Sequence, residues 1–194
     1  MAEKSTTRQV ILEAVVTCIE KYSIDKITTR KIAEEAGTNI ASINYHFRSK
    51  DELVDEALSM TITHMLEDVL VAVDDTQQPF EKNLEDIFFY LLNGCLQFPG
   101  ISTAHLYRAI LDKQYDSVGA KAINNMFNRV AQRAIKEYPE RSPDEMRLRL
   151  SQVFSSILFS MLAPNFLSVA RKHQLTSSGN ARSLAASYTE MFFK

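Results

Sequence analysis

An all-α fold of about nine helices is predicted from three features of the sequence. Leu, Ile, Ala, Glu and Lys are abundant, only 5 Gly and 5 Pro interrupt 194 residues, and almost no stretch alternates apolar with polar. Apolar residues instead recur at three- and four-residue steps. The first such stripe is Ile11, Ala14, Val15, Cys18, Ile19 and Tyr22, which predicts a helix over 6–22 with Glu13, Glu20 and Lys21 facing water. A short second helix begins at Thr28 or Thr29, either of which can cap it, and ends at Gly37. A third opens after Asn39 and runs to about His46. The fourth is long, from about 50 to 73, with Ser49 as cap and Asp51 and Glu52 suited to the positive helix end.

The pattern breaks at 74–79, with Pro79 placed at a helix start. Phe80, Leu84, Ile87, Phe88, Leu91, Leu92 and Cys95 then form a fifth apolar stripe. Pro99-Gly100 reads as punctuation, followed by helices over about 101–112 and 116–138. Residues 143–173 read as one long helix kinked at Pro164, and a last helix covers about 180–193. The expected division is a small domain at 1–48 and a larger domain at 49–194.

Composition limits the function. The chain is 45% hydrophobic and 24% charged, which supports a sizeable core and argues against disorder. Residues 1–50 carry 8 Lys and Arg against 6 Asp and Glu, whereas the rest carries 14 against 18, so a mildly basic N-terminal quarter sits on an acidic body. Cys18 and Cys95 fall in apolar stripes and are expected to be buried free thiols in a reducing cytoplasm. No signal peptide or membrane span is expected, and no membrane partner. The four histidines show no metal-ligand spacing, and phosphate loops and nucleophile elbows are absent. Neither enzyme activity, nor a metal, nor a cofactor is expected.

The informative segment runs over 28–47. Ala33 is small enough for two helices to cross, Gly37 four positions on supplies a left-handed turn, and Ile43 and Phe47 plug the core from the second helix. Ile32 and Ala36 complete the inward face. This is helix-turn-helix spacing. The outward residues Ser42, Asn44 and Tyr45, with Thr28, Thr29, Arg30 and Lys50 nearby, are donors suited to phosphates or bases, where an ordinary solvated face more often carries Glu and Lys.

With Thr28-Thr29 before Ile32-Ala33, then Gly37, the run Tyr45-His46-Phe47, and Ser49-Lys50 with Leu53, the chain resembles the TetR family of regulators. The specific part of the likeness covers roughly residues 8–58. Asn44 stands where the family often has an aromatic residue, and Thr38 where a branched apolar residue is usual. The resemblance implies that the motif's second helix enters the major groove. Ile40, Ala41, Ser42, Asn44 and Tyr45 are then the groove candidates, Asn39 is a further candidate DNA contact, and Arg30 can reach guanine. Thr28, Thr29, Tyr45, His46 and Lys50 are candidate phosphate anchors.

The resemblance also implies a homodimer, a duplex operator that is palindromic or nearly so, and a small-molecule effector that releases the protein from it. His64, Phe88, Leu92, Cys95, His105, Arg108, Met126, Phe127, Phe154, Leu158 and Met161 are the candidate pocket residues. Their Phe and Met content suits an apolar or aromatic ligand, with His105 and Arg108 placed to bind an anionic head. Val153, Phe154, Ile157, Leu158, Met161 and Leu162, with Leu184, Tyr188, Met191 and Phe192, form a band wider than one monomer needs and predict a four-helix interface. An architectural or effector-independent DNA-binding protein is the alternative, but an architectural one should be strongly basic throughout.

Overall fold

The computed structural model describes residues 6–111, 113–163 and 175–194. Among these, α1 spans Thr7–Tyr22, followed by a 3-10 turn at Ile24–Lys26, α2 (Thr29–Glu35) and α3 (Ile40–His46). Then come α4 (Lys50–Asp74), α5 (Phe80–Gln97), α6 (Pro99–Leu111), α7 (Val118–Glu137), α8 (Pro143–Leu162) and α9 (Ser178–Phe193).

Side-chain caps explain most of the starts. Thr6 accepts from Gln9 N and Gln9 returns a bond, closing a capping box. Thr28, Asn39, Ser49, Ser117 and Ser177 each accept from a backbone N–H in the first turn of the helix they precede. One start departs from expectation. The break between α5 and α6 falls at Phe98, and Pro99-Gly100 forms the first turn of α6 rather than preceding it. The reason lies 80 residues earlier in the chain, where Glu20 of α1 accepts from Gly100 N at 3.0 Å and Ile101 N at 2.8 Å. A carboxylate thus satisfies two orphan donors at a positive helix end.

Two apolar clusters hold the molecule. The first joins α1, α2 and α3 through Ile11, Ile19, Ile32, Ile43 and Phe47, and is completed by Leu53, Val54, Ala57 and Leu58 of α4 and by Ile101 and Ala104 of α6. The second is built from α5, α7, α8 and α9 with Val69 and Val73 of α4, centred on Phe88, Leu84, Val130, Leu150 and Phe192. Helix α4, about 37 Å long at 1.5 Å per residue, therefore contributes to both clusters. Helix α6 is locked to α7 at Gly119, where an added Cβ would lie 2.1 Å from the carbonyl oxygen of His105.

Part of the apolar band of the last helices is spent inside the chain. Val153, Phe154, Ile157 and Phe192 are buried in the second cluster, against which Leu184 and Tyr188 also pack. Leu158, Met161, Leu162, Leu184 and Tyr188 are only half-buried within the chain. The exposed apolar residues there are Leu148 and Phe159 on α8 and Met191 on α9. The kink expected at Pro164 and the continuation to His173 lie outside the described residues.

Candidate DNA-reading face and interhelical cavity

The helix-turn-helix is assembled by the residues whose spacing announces it. Ile32, Ala33, Ile43 and Phe47 are buried, and Gly37 adopts φ 62°, the left-handed conformation that lets α2 turn into α3. Thr38 N then donates to Ala33 O at 2.9 Å, which closes the end of α2.

On the outer side, α3 presents Ile40 (44% exposed) and Tyr45 (85% exposed), two large apolar groups left in water. Ala41 and Asn44 are exposed beside them, whereas Ser42 and His46 are half-buried. The ring of Tyr45 meets His46 edge-on at 5.0 Å. Several candidate anchors are already engaged. Thr28 and Asn39 spend their side-chain oxygens on caps, and Arg30 pairs with Glu34 at 3.0 Å on the exposed side of α2. Lys50 reaches Ile27 O at 3.4 Å, and Thr29 is half-buried. Arg48, exposed directly after α3, adds a cation that the motif does not single out.

The second site is a cavity of about 500 Å³ lined by α4, α5, α6, α7 and α8 and partly open to solvent, with Val16 of α1 at one side. Seven of the eleven sequence candidates line it: His64, Cys95, His105, Met126, Phe154, Leu158 and Met161. Phe88 and Phe127 instead stack edge-on against Phe154, at 5.9 and 5.6 Å between ring centres, and so support the wall from behind. Leu92 is fully buried in the second cluster.

Arg108 does not reach the cavity. Two carboxylates at the start of α4 capture it, Asp55 at 3.0 Å and Asp51 at 3.7 Å. The anionic-head reading of His105 with Arg108 is corrected accordingly, and His105 itself argues against it. That ring is buried, its Nε2 lies 3.1 Å from Thr61 Oγ1, and burial pushes its pKa down to about 4. It is neutral near pH 7 and offers an anion no charge.

Among the described residues the cavity wall holds no Lys, Arg, Asp or Glu. Its other polar groups are mostly engaged: Tyr90 donates to Asp68 at 2.6 Å and Asn93 accepts from Ser178 at 2.7 Å. The Cys95 thiol is held protonated, its pKa pushed up to about 11 by burial. His64 is an exposed residue at the rim, 3.8 Å from Glu67. Sequence reasoning missed Thr61, Tyr90, Gly94 and Ser102 as lining residues. Gly94, in the middle of a helix, was the available signal, since such a glycine often marks a place where space is needed.

No group of three or more metal-ligating side chains occurs among the described residues, and no helix there is long and apolar enough to cross a membrane.

A capped helix-turn-helix joined by one long helix to a hollow helical body defines a DNA-binding transcription regulator. Residues 11–57 match the family described as bacterial regulatory proteins, tetR family. The fold is similar to that of a TetR transcription regulator from Haloarcula marismortui, with a TM-score of 0.70 and 17% identity over 95% of this chain and 96% of that one. It is also similar to that of the transcriptional regulator FadR from Bacillus subtilis in complex with stearoyl-CoA, with a TM-score of 0.70 and 10% identity over 94% and 96%. In sequence, the nucleoid occlusion factor SlmA of Yersinia pestis is 27% identical over 135 residues, 67% of each chain. Residues 11–57 thus resemble the DNA-binding part of the tetR family, and the described helices share the fold of its regulators.

Proposed function

We propose that this regulator represses genes next to its operator and leaves the DNA when a small molecule fills the cavity. The observation that carries the reading is the cavity itself, one wall of which is α4, the helix that begins directly after the DNA-reading face. In this reading residues 1–48 hold the DNA, with Ile40, Ala41, Ser42, Asn44 and Tyr45 in the major groove. Residues 49–194 sense and dimerise. Two copies present two α3 helices to half-sites about 34–36 Å apart. A ligand acts only through its different affinities for the DNA-bound and released arrangements. Helix α6 is suited to carry the difference, because Glu20 ties its start to α1 and Arg108 ties its later turns to Asp55.

The test begins with selection of an operator from random duplexes. Binding to it should be at least about 10³-fold tighter than to random DNA. Compounds that raise the melting temperature of the protein should then weaken operator binding by about 5- to 150-fold. Stabilising compounds that leave operator affinity unchanged would count against effector release while leaving DNA binding intact.

The SlmA relatives favour a second reading, a protein that marks the nucleoid independently of any effector. Chromosome-wide occupancy separates the two. A repressor occupies a few promoter sites, whereas a nucleoid factor occupies many dispersed ones.

A further inference from the structure

The wall of the cavity also says what kind of molecule enters it. We infer that the effector is an uncharged, mainly apolar molecule with a single hydrogen-bonding group, and that this group competes with Thr61 for the ring of His105. The inference rests on the reading of the cavity as the effector site.

The absence of charge comes first. No ionisable carboxylate, ammonium or guanidinium lines the space among the described residues, and Arg108, the nearest cation on α6, is held by Asp55 and Asp51. An ion drawn into such a wall gives up its hydration and gains no partner. A neutral chain or ring loses nothing comparable.

The polar contact comes second. Thr61 has one hydroxyl proton, and Leu58 O lies 3.0 Å away to accept it. With the proton directed there, the Thr61 oxygen accepts from His105 Nε2–H at 3.1 Å, and this tautomer leaves Nδ1 as the unprotonated acceptor. That nitrogen is buried and has no hydrogen-bond partner among the described residues. It is covered, so a ligand donor reaches it only if the ring turns, and turning the ring surrenders Thr61. A hydroxyl or N–H that enters here therefore satisfies an orphaned atom and breaks a bond between α4 and α6 in one event. The backbone of His105 stays fixed meanwhile, because α7 packs on it at Gly119.

The site provides its own control. Gly94 lines the cavity, and an added Cβ there meets nothing within 4 Å. Gly94→Phe should fill the space without strain on the backbone.

The experiment uses the intact protein, Nile red as a neutral fluorescent probe, and three competitors with one ten-carbon chain: 1-decanol, decanoate and decylammonium, at pH 7.5. Nile red should bind the wild type and lose binding in Gly94→Phe. Equal binding to both proteins, or none to the wild type, would remove the cavity reading itself. Given cavity binding, decanol should displace the dye at a concentration about 100-fold lower than either ion. Displacement by decanoate or decylammonium within a few-fold of decanol would overturn the neutral-ligand inference alone.

His105→Phe should keep the dye but weaken decanol by about tenfold. In ¹⁵N-histidine-labelled protein, decanol should shift both ring nitrogens of His105. Unchanged decanol affinity in His105→Phe, or unmoved His105 resonances, would remove the ring from recognition.

Discussion

At the scale of single residues, the burial of His105 makes a thermodynamic prediction. Its pKa is lowered to about 4 in the folded chain, while the unfolded ring titrates near the ordinary 6.5. Above pH 6.5 the ring is neutral in both states and costs nothing. As pH falls from 6.5 towards 4 only the unfolded chain gains the proton, so stability declines, by up to about 3 kcal/mol before levelling off. Urea unfolding at pH 7.5 and 4.5 should show this decline in the wild type and a smaller one in His105→Gln. An equal decline in both would place the acid sensitivity elsewhere. On α3 the prediction concerns reading against anchoring. Asn44→Ala should cost about 1–3 kcal/mol on a selected operator and little on random duplex. A loss of the same size on both would make Asn44 a phosphate contact. Tyr45, more exposed than any other large apolar side chain in the described residues, should weaken binding on both when changed to Ala.

At the scale of elements, helix starts were legible because their causes are local. Thr6, Thr28, Asn39 and Ser49 each stand one residue before a helix and bond within its first turn. The start of α6 was not legible, because the group that satisfies its first N–H donors is Glu20, on another helix. The same distinction divides the cavity. Phe and Met composition pointed to an apolar space, but which of Phe88, Phe127 and Phe154 faces it depends on how α5, α7 and α8 stack. Arg108 was misplaced because Asp51 and Asp55 lie more than fifty residues before it. The α6 contacts make a testable pair. Glu20→Ala removes the acceptor for Gly100 and Ile101 and should cost about 1 kcal/mol of stability, as the loss of other helix caps does. Gly119→Ala should cost at least about 1–3 kcal/mol, since its methyl group would overlap the His105 carbonyl. Both values can be read from denaturant midpoints. A neutral Gly119→Ala would mean that α6 and α7 are free to separate, and would undercut His105 as a fixed reference.

At the scale of the whole molecule, the acidic body and the mildly basic N-terminal quarter predict that DNA attraction is local and strongly screened. A dimer that neutralises about six phosphates should lose roughly 10³-fold in affinity between 50 and 200 mM salt. Assembly is expected through α8 and α9, using the exposed Leu148 and Met191 rather than the residues already buried in the second cluster. Sedimentation should show a dimer at micromolar concentration, and Leu148→Glu should shift it towards monomer. A wild-type monomer at that concentration would exclude this mode of binding. The first apolar cluster carries a consequence for how such proteins can be recombined. Its floor comes from Leu53, Val54, Ala57 and Leu58, and one of its walls from Ile101 and Ala104. A gene fragment ending after the recognition helix would encode a reading head with part of its lining missing. Grafts between relatives should succeed only when the crossover carries the opening turns of α4 and a matching face of α6, so inheritance of a new operator and of a new sensing body would be tied to one shared seam.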